Sequence, residues 1–249
     1  MALASVECGG AAYELGYELV GAAQSPAVLI LHGWGANKEL MKRAFGGELQ
    51  NFCHIYLDLC GFGKSSIDRA LSSFEYAKIV GEFLRQKNLA PQIIIAHSFG
   101  GKIAALLSTQ IPLKMLVLLS SAGIVWRKNF KVRGKIALFK CLKRLGVSRF
   151  GGVFASKDVT GMSQTMYETF KKVVDEDFCE VFASVKCPAL IFWGVDDDAT
   201  PLKSGEKIQS LIANSEFYAL NGGHFFFLEN AQNAKFIAEK VERAFENWL

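Results

Sequence analysis

The sequence has no apolar run near the roughly 18 residues that cross a bilayer, so no membrane span is expected. The opening stretch MALASVECGGAAYELGYELV has neither a basic start nor a continuous apolar segment, and no signal peptide is read from it. No C-x-x-C pair occurs among the six cysteines (Cys8, Cys53, Cys60, Cys141, Cys179, Cys187). In a chain of 249 residues that scatter points to reduced thiols in a cytoplasm and away from a disulfide framework. No internal repeat or low-complexity tract is present. Half of the residues are apolar, which excludes wholesale disorder and fits one large α/β domain, or a core with one insertion.

Acidic residues are missing from a whole segment. From Ile124 to Lys157 there are ten basic residues (Arg127, Lys128, Lys131, Arg133, Lys135, Lys140, Lys143, Arg144, Arg149, Lys157) and no acid. Extended to Lys186 the count is 13 basic and 6 acidic, against 15 and 18 in the remainder, so 124–186 reads as a separate piece. It has no strong strand run but carries helical patterns, Ile136, Phe139, Leu142 and Leu145, then Met166, Phe170, Val173 and Val174. We therefore expect a core of 1–123 and 187–249 with a helical cap, or lid, at 124–186. Its basic surface has two readings. The simpler is the solvated faces of amphipathic helices; the other is a dock for an acidic carrier protein or an anionic substrate. Without aromatic interleaving or a recognisable binding fold, nucleic acid is not an expected partner.

Apolar runs alternate with amphipathic stretches, the pattern of βαβ units around a mostly parallel sheet flanked by helices. The expected strands are Ala27–Leu31, His54–Leu57, Ile93–Ala96, Met115–Leu119, Ala189–Trp193 and Glu216–Leu220, with Tyr13–Val20 as an antiparallel edge hairpin. Ser73 is read as the N-cap of a helix whose apolar face uses Tyr76, Ile79, Val80, Phe83 and Leu84. A second helix runs from Ser98 toward Gln110, and a third from Asn230 to the C-terminus.

IIIAHSFGG (93–101) sets Ser98 between a strand and a helix, with Ala96 and Gly100 two residues away on either side. Small residues there allow the sharp turn of a nucleophile elbow, which lifts the hydroxyl above the sheet. Serine needs a base. His97 adjoins it and should point away, His54 opens a strand, and His32 sits in the HGWG stretch. His224 remains, in NGGHFFF just past the last expected strand, with Gly222 and Gly223 suited to a tight turn. WGVDDDATP (193–201) offers three carboxylates, Asp196, Asp197 and Asp198, that could orient it. The run lacks the alternation and downstream glutamate of a calcium loop, so no metal site is expected. GFGKS lacks the first glycine of a phosphate loop, since Asp58 stands there, so nucleotide binding is rejected.

With LHGWG (31–35), DLCGFGKS (58–65), AHSFGG (96–101), WGVDDDATP and GGHFFFLE (222–229) in order, the sequence resembles the α/β-hydrolase fold superfamily across nearly its whole length. Two positions depart from the usual motifs: Ala96 for glycine and Cys60 for proline. The resemblance implies a Ser98–Asp197–His224 triad, because the family's G-x-x-D-x-x-x-P pattern runs from Gly194 through Asp197 to Pro201; Asp196 is the rival. It implies an oxyanion hole from the backbone N–H groups of Trp34 and Phe99, with His32 holding hydrogen bonds of its loop. It further implies a serine hydrolase of a small acyl substrate that needs no cofactor, similar to small carboxylesterases. Meta-cleavage-product hydrolases, methyl esterases acting on carrier-linked pimeloyl groups, and non-catalytic proteins of this fold are the alternatives.

Overall fold

The computed structural model describes residues 2–126 and 163–247. The ten basic positions of 127–157, the helical pattern at 136–145, Cys141 and Trp248 lie outside the described residues.

Eight strands form one sheet: β1 (Ala2–Cys8), β2 (Ala11–Val20), β3 (Ala27–Leu31), β4 (Cys53–Leu57), β5 (Ile93–His97), β6 (Met115–Leu119), β7 (Ala189–Gly194) and β8 (Ser215–Leu220). Their spatial order is β1-β2-β4-β3-β5-β6-β7-β8; β1 and β2 pair antiparallel and the rest of the sheet, from β4 onward, runs parallel. The helices are α1 (Lys38–Phe45), α2 (Ser73–Gln86), α3 (Phe99–Ser108), α4 (Gln164–Val173), α5 (Cys179–Ser184), α6 (Leu202–Leu211), α7 (Phe226–Glu229) and α8 (Ala231–Glu246).

Continuous apolar strands arise because both faces are covered. Successive side chains alternate sides. Leu29, Leu31, Ile94, Ala96, Leu116 and Leu118 join Tyr76 and Ile103 of α2 and α3 in one core. Val28, Ile30, Ile93, Ile95, Val117 and Leu119 join Phe45 of α1 and Ile237 and Val241 of α8 in the other. The edge strand β1 is read less easily from sequence. Its inward face is only Ala4, Val6 and Cys8, small residues that α2 covers.

Helix α2 begins one residue earlier than expected. Ser72, not Ser73, is the N-cap: its Oγ accepts the Glu75 N–H while Glu75 Oε2 accepts the Ser72 N–H at 2.8 Å, a capping box. Ser73 is the first helical residue and bonds elsewhere. Ser72→Ala is expected to cost about 1 kcal/mol in urea unfolding; an unchanged midpoint would show that the box contributes nothing. All five described cysteines are free thiols.

From β3 the chain passes to β4 on one side and then to β5 on the other. That reversal opens a crevice at the carboxyl ends of β3 and β5, where open α/β sheets place their sites. The HGWG and HSFG stretches leave those two ends. Among the described residues no helix is long and apolar enough to cross a membrane.

Candidate active site

Ser98 follows β5 with φ 49° and ψ −114°, a conformation a non-glycine residue adopts only under constraint. The constraint is visible on three sides. Its N–H donates to the Leu119 carbonyl at 3.0 Å, and its carbonyl accepts from Gly101 and Ala122. On the third side α3 presses against the β3 loop: a Cβ at Gly100 would stand 2.5 Å from the His32 carbonyl oxygen. Ala96 is fully buried in β5, in register with Leu31 and Leu118.

His32 ties two loops together. Its Nε2 accepts the Leu59 N–H at 2.9 Å, so Nδ1 carries the proton and donates to the Gly33 carbonyl at 2.8 Å. Burial lowers its pKa to about 4, and the ring is neutral near pH 7. The next loop is held by Asp58, which accepts the Lys38 N–H, the Lys38 ammonium and the Lys64 N–H at 2.7, 3.0 and 3.0 Å. In GFGKS, then, the lysine amide serves an internal carboxylate.

Beyond β7, the loops at 194–200 and 221–224 run so close that a Cβ on Gly194 would collide with the carbonyl oxygens of Gly222 and Gly223. This contact brings Asp197 beside His224. Asp196 and Asp198 are exposed, whereas Asp197 is 5% exposed. Its Oδ2 lies 2.8 Å from His224 Nδ1, and its Oδ1 accepts the N–H groups of Ala199 and Thr200 at 2.9 and 2.8 Å. Burial alone would raise the carboxyl pKa. The bond and charge of His224 and the Thr200 amide outweigh it and hold the pKa below its ordinary value. An ionised acceptor fixes His224 as the Nδ1–H tautomer and leaves Nε2 free to take a proton.

Thr200 supports the carboxylate from the same loop. Pro201 occupies the cap position of α6, and the Thr200 hydroxyl lies 2.8 Å from Asp197 Oδ2 and 3.1 Å from the Ser120 carbonyl. His97 turns away from the serine hydroxyl but not from the site. Its Nε2 is 2.9 Å from the His224 carbonyl oxygen, and the two rings lie 4.6 Å apart. His54 is a packed residue, bonded to Tyr56 and the Leu49 carbonyl.

A cavity of about 310 Å³ collects these pieces; Ser98, His224, Trp34, Phe99 and Thr200 all line it. The structure thus joins Asp197 to His224 directly and sets Ser98 on the same cavity, but no hydrogen bond links Ser98 to His224 in this conformation. Such bonds are often long before substrate binds. Trp34 packs its indole against Phe62, Phe99 and Phe170. Phe99 is the first residue of α3, so its N–H has no partner within the helix. The cavity also holds a pair that sequence reading missed, Lys102 of α3 and Glu176, joined at 2.9 Å. The available signal was a lysine in the otherwise apolar run FGGKIAALL.

Known proteins resemble the chain in sequence and in fold. The family described as alpha/beta hydrolase fold matches residues 26–139. The pimeloyl-[acyl-carrier protein] methyl ester esterase of Chromobacterium violaceum is 24% identical over 246 residues, covering 88% of this chain and 95% of that one. A putative lipase from Acinetobacter baumannii superposes with a TM-score of 0.76 at 21% identity, over 99% of this chain and 92% of the other. The enol-lactonase of Burkholderia xenovorans gives 0.74 at 17% identity, over 98% and 100%. With its eight-stranded, mostly parallel sheet flanked by helices, this chain has the α/β-hydrolase fold.

Proposed function

We propose that this hydrolase cleaves an ester or related acyl bond of a small substrate through an acyl-enzyme on Ser98. The observation that carries the reading is the buried Asp197 bonded to His224 Nδ1 on the cavity that also holds the strained Ser98. His224 Nε2 takes the Ser98 proton as Oγ bonds to the acyl carbon, and the carbonyl π pair moves onto oxygen. The Trp34 and Phe99 N–H groups meet that oxyanion, each worth roughly 3–4 kcal/mol in comparable sites. The leaving group departs with the proton from His224. Water then attacks the acyl carbon and yields a proton to His224, and the C–Oγ bond breaks as Ser98 regains its hydrogen. No cofactor or metal takes part in this cycle.

In this reading 1–123 with 187–249 is the catalytic core and 124–186 the cap that shapes the pocket. Free thiols among the described residues accord with a reducing, cytoplasmic setting. A second reading is favoured by the Chromobacterium relative and by the acid-free basic stretch: the acyl group arrives on an acidic carrier protein that docks on the cap.

One panel tests both. A fluorophosphonate is expected to label the folded protein on the peptide containing Ser98, and short p-nitrophenyl esters to turn over. Failure to label would sink the serine-hydrolase reading, and turnover of a dienone C–C substrate without esters would move it to C–C cleavage. Carrier-linked methyl esters hydrolysed no faster than the free esters would remove the carrier.

A further inference from the structure

Lys102 stands four residues after Ser98, so its Cα lies one turn, about 6 Å, further along the same face of α3. Its ammonium donates to the Val173 carbonyl at 2.7 Å, to Glu176 Oε2 at 2.9 Å and to the Glu176 carbonyl at 3.4 Å, and lies 4.4 Å from the centre of the Phe178 ring. The Glu176 carboxylate also accepts the Ser73 N–H at 3.2 Å and the Ser73 hydroxyl. The side chains are 3% and 18% exposed, and both residues line the cavity that holds Ser98 and His224.

A buried ion pair is a weak source of stability, because desolvation of both charges offsets their attraction and apolar residues of similar volume commonly serve as well. Its place on the wall of the reaction cavity therefore calls for another role. Trp34 lines the same cavity. The indole N–H of Trp34 is buried without an acceptor among the described residues.

We propose that Lys102 and Glu176, with the Trp34 indole, determine specificity by selecting acyl chains that end in an uncharged hydrogen-bonding group, a carboxamide or hydroxyl. The inference deepens the serine-hydrolase reading and rests on it. A carboxylate has about four acceptor positions, and Glu176 uses three. The longest of the Lys102 bonds, at 3.4 Å, is the one most readily exchanged for a ligand. Glu176 thus has room for one donor, and Lys102 and Trp34 for an acceptor, which is the pattern of a carboxamide. An alkyl chain would cover these groups and leave them unsatisfied. A free carboxylate would meet the charge of Glu176.

Three p-nitrophenyl esters of one length and nearly one shape test this: the glutaramate, the 5-methylhexanoate and the hemiglutarate. Each places three methylenes between the ester carbonyl and its terminal group, about one helical turn. Rates are referred to active sites titrated with fluorophosphonate. Wild-type kcat/KM is expected to favour the glutaramate about tenfold over both others. In the Lys102→Met/Glu176→Gln double variant the preference over the 5-methylhexanoate should collapse to near parity. In Glu176→Gln alone, hemiglutarate should gain about tenfold relative to 5-methylhexanoate, because the lysine charge is then uncompensated. Ratios taken within one protein are independent of how much of it folds. A labelled wild type that turns over the 5-methylhexanoate as fast as the glutaramate overturns the proposal, as does a preference that survives in the double variant. A protein that does not label at all fails at the earlier step and takes this inference with it.

Discussion

Ser98→Ala is expected to lower kcat on p-nitrophenyl acetate by about 10⁶-fold, close to the background of the oxyanion donors alone, and to abolish fluorophosphonate labelling. The size follows from the chemistry. Without Oγ there is no acyl-enzyme, and His224 has no proton to remove from the attacking atom. The substitution removes one oxygen at a position where alanine meets the same φ of 49°, so the fold should survive with a circular dichroism spectrum like that of the wild type. Residual activity within a hundredfold of wild type would place the nucleophile elsewhere.

Asp197→Asn is expected to lose about 10⁴ in kcat with little change in KM. The reason is tautomeric. An amide nitrogen facing Nδ1 would turn the imidazole over, so that Nε2 carries the proton and no longer accepts one from Ser98. The Ala199 and Thr200 N–H groups that converge on Oδ1 would hold the asparagine oxygen on their side, which turns its nitrogen toward His224. Asp196→Asn and Asp198→Asn, both on exposed side chains, should stay within a few-fold of wild type. Should Asp196→Asn carry the large loss instead, the working acid lies one place earlier.

Much of this arrangement is legible in the sequence, and the limits are physical. Strands β3, β5, β6 and β7 announce themselves because burial on both faces demands nearly unbroken apolar runs. β1 does not, because Ala4, Val6 and Cys8 are too small to raise the signal of an edge strand. Asp197 was singled out by the resemblance, whose pattern runs from Gly194 through Asp197 to Pro201, and it is the buried one of the three aspartates. Lys102 and Glu176 stayed hidden for a different reason. Their meeting spans 74 residues of chain, and no local period records which element a helical side chain faces across such a gap.

Strands β6 and β7 are adjacent and in register, Leu116 beside Ala189, although the chain between them runs through the whole of 120–188. The paired residues of β6 and β7 lie on either side of that excursion. Residues that carry the proposed chemistry stand at strand ends on either side of it, while Phe170, Val173 and Glu176 of the cavity wall belong to it. Descent with change of substrate can proceed here by exchange of a single cassette, at a site where insertion or deletion leaves every strand pairing and the Asp197–His224 bond as they are.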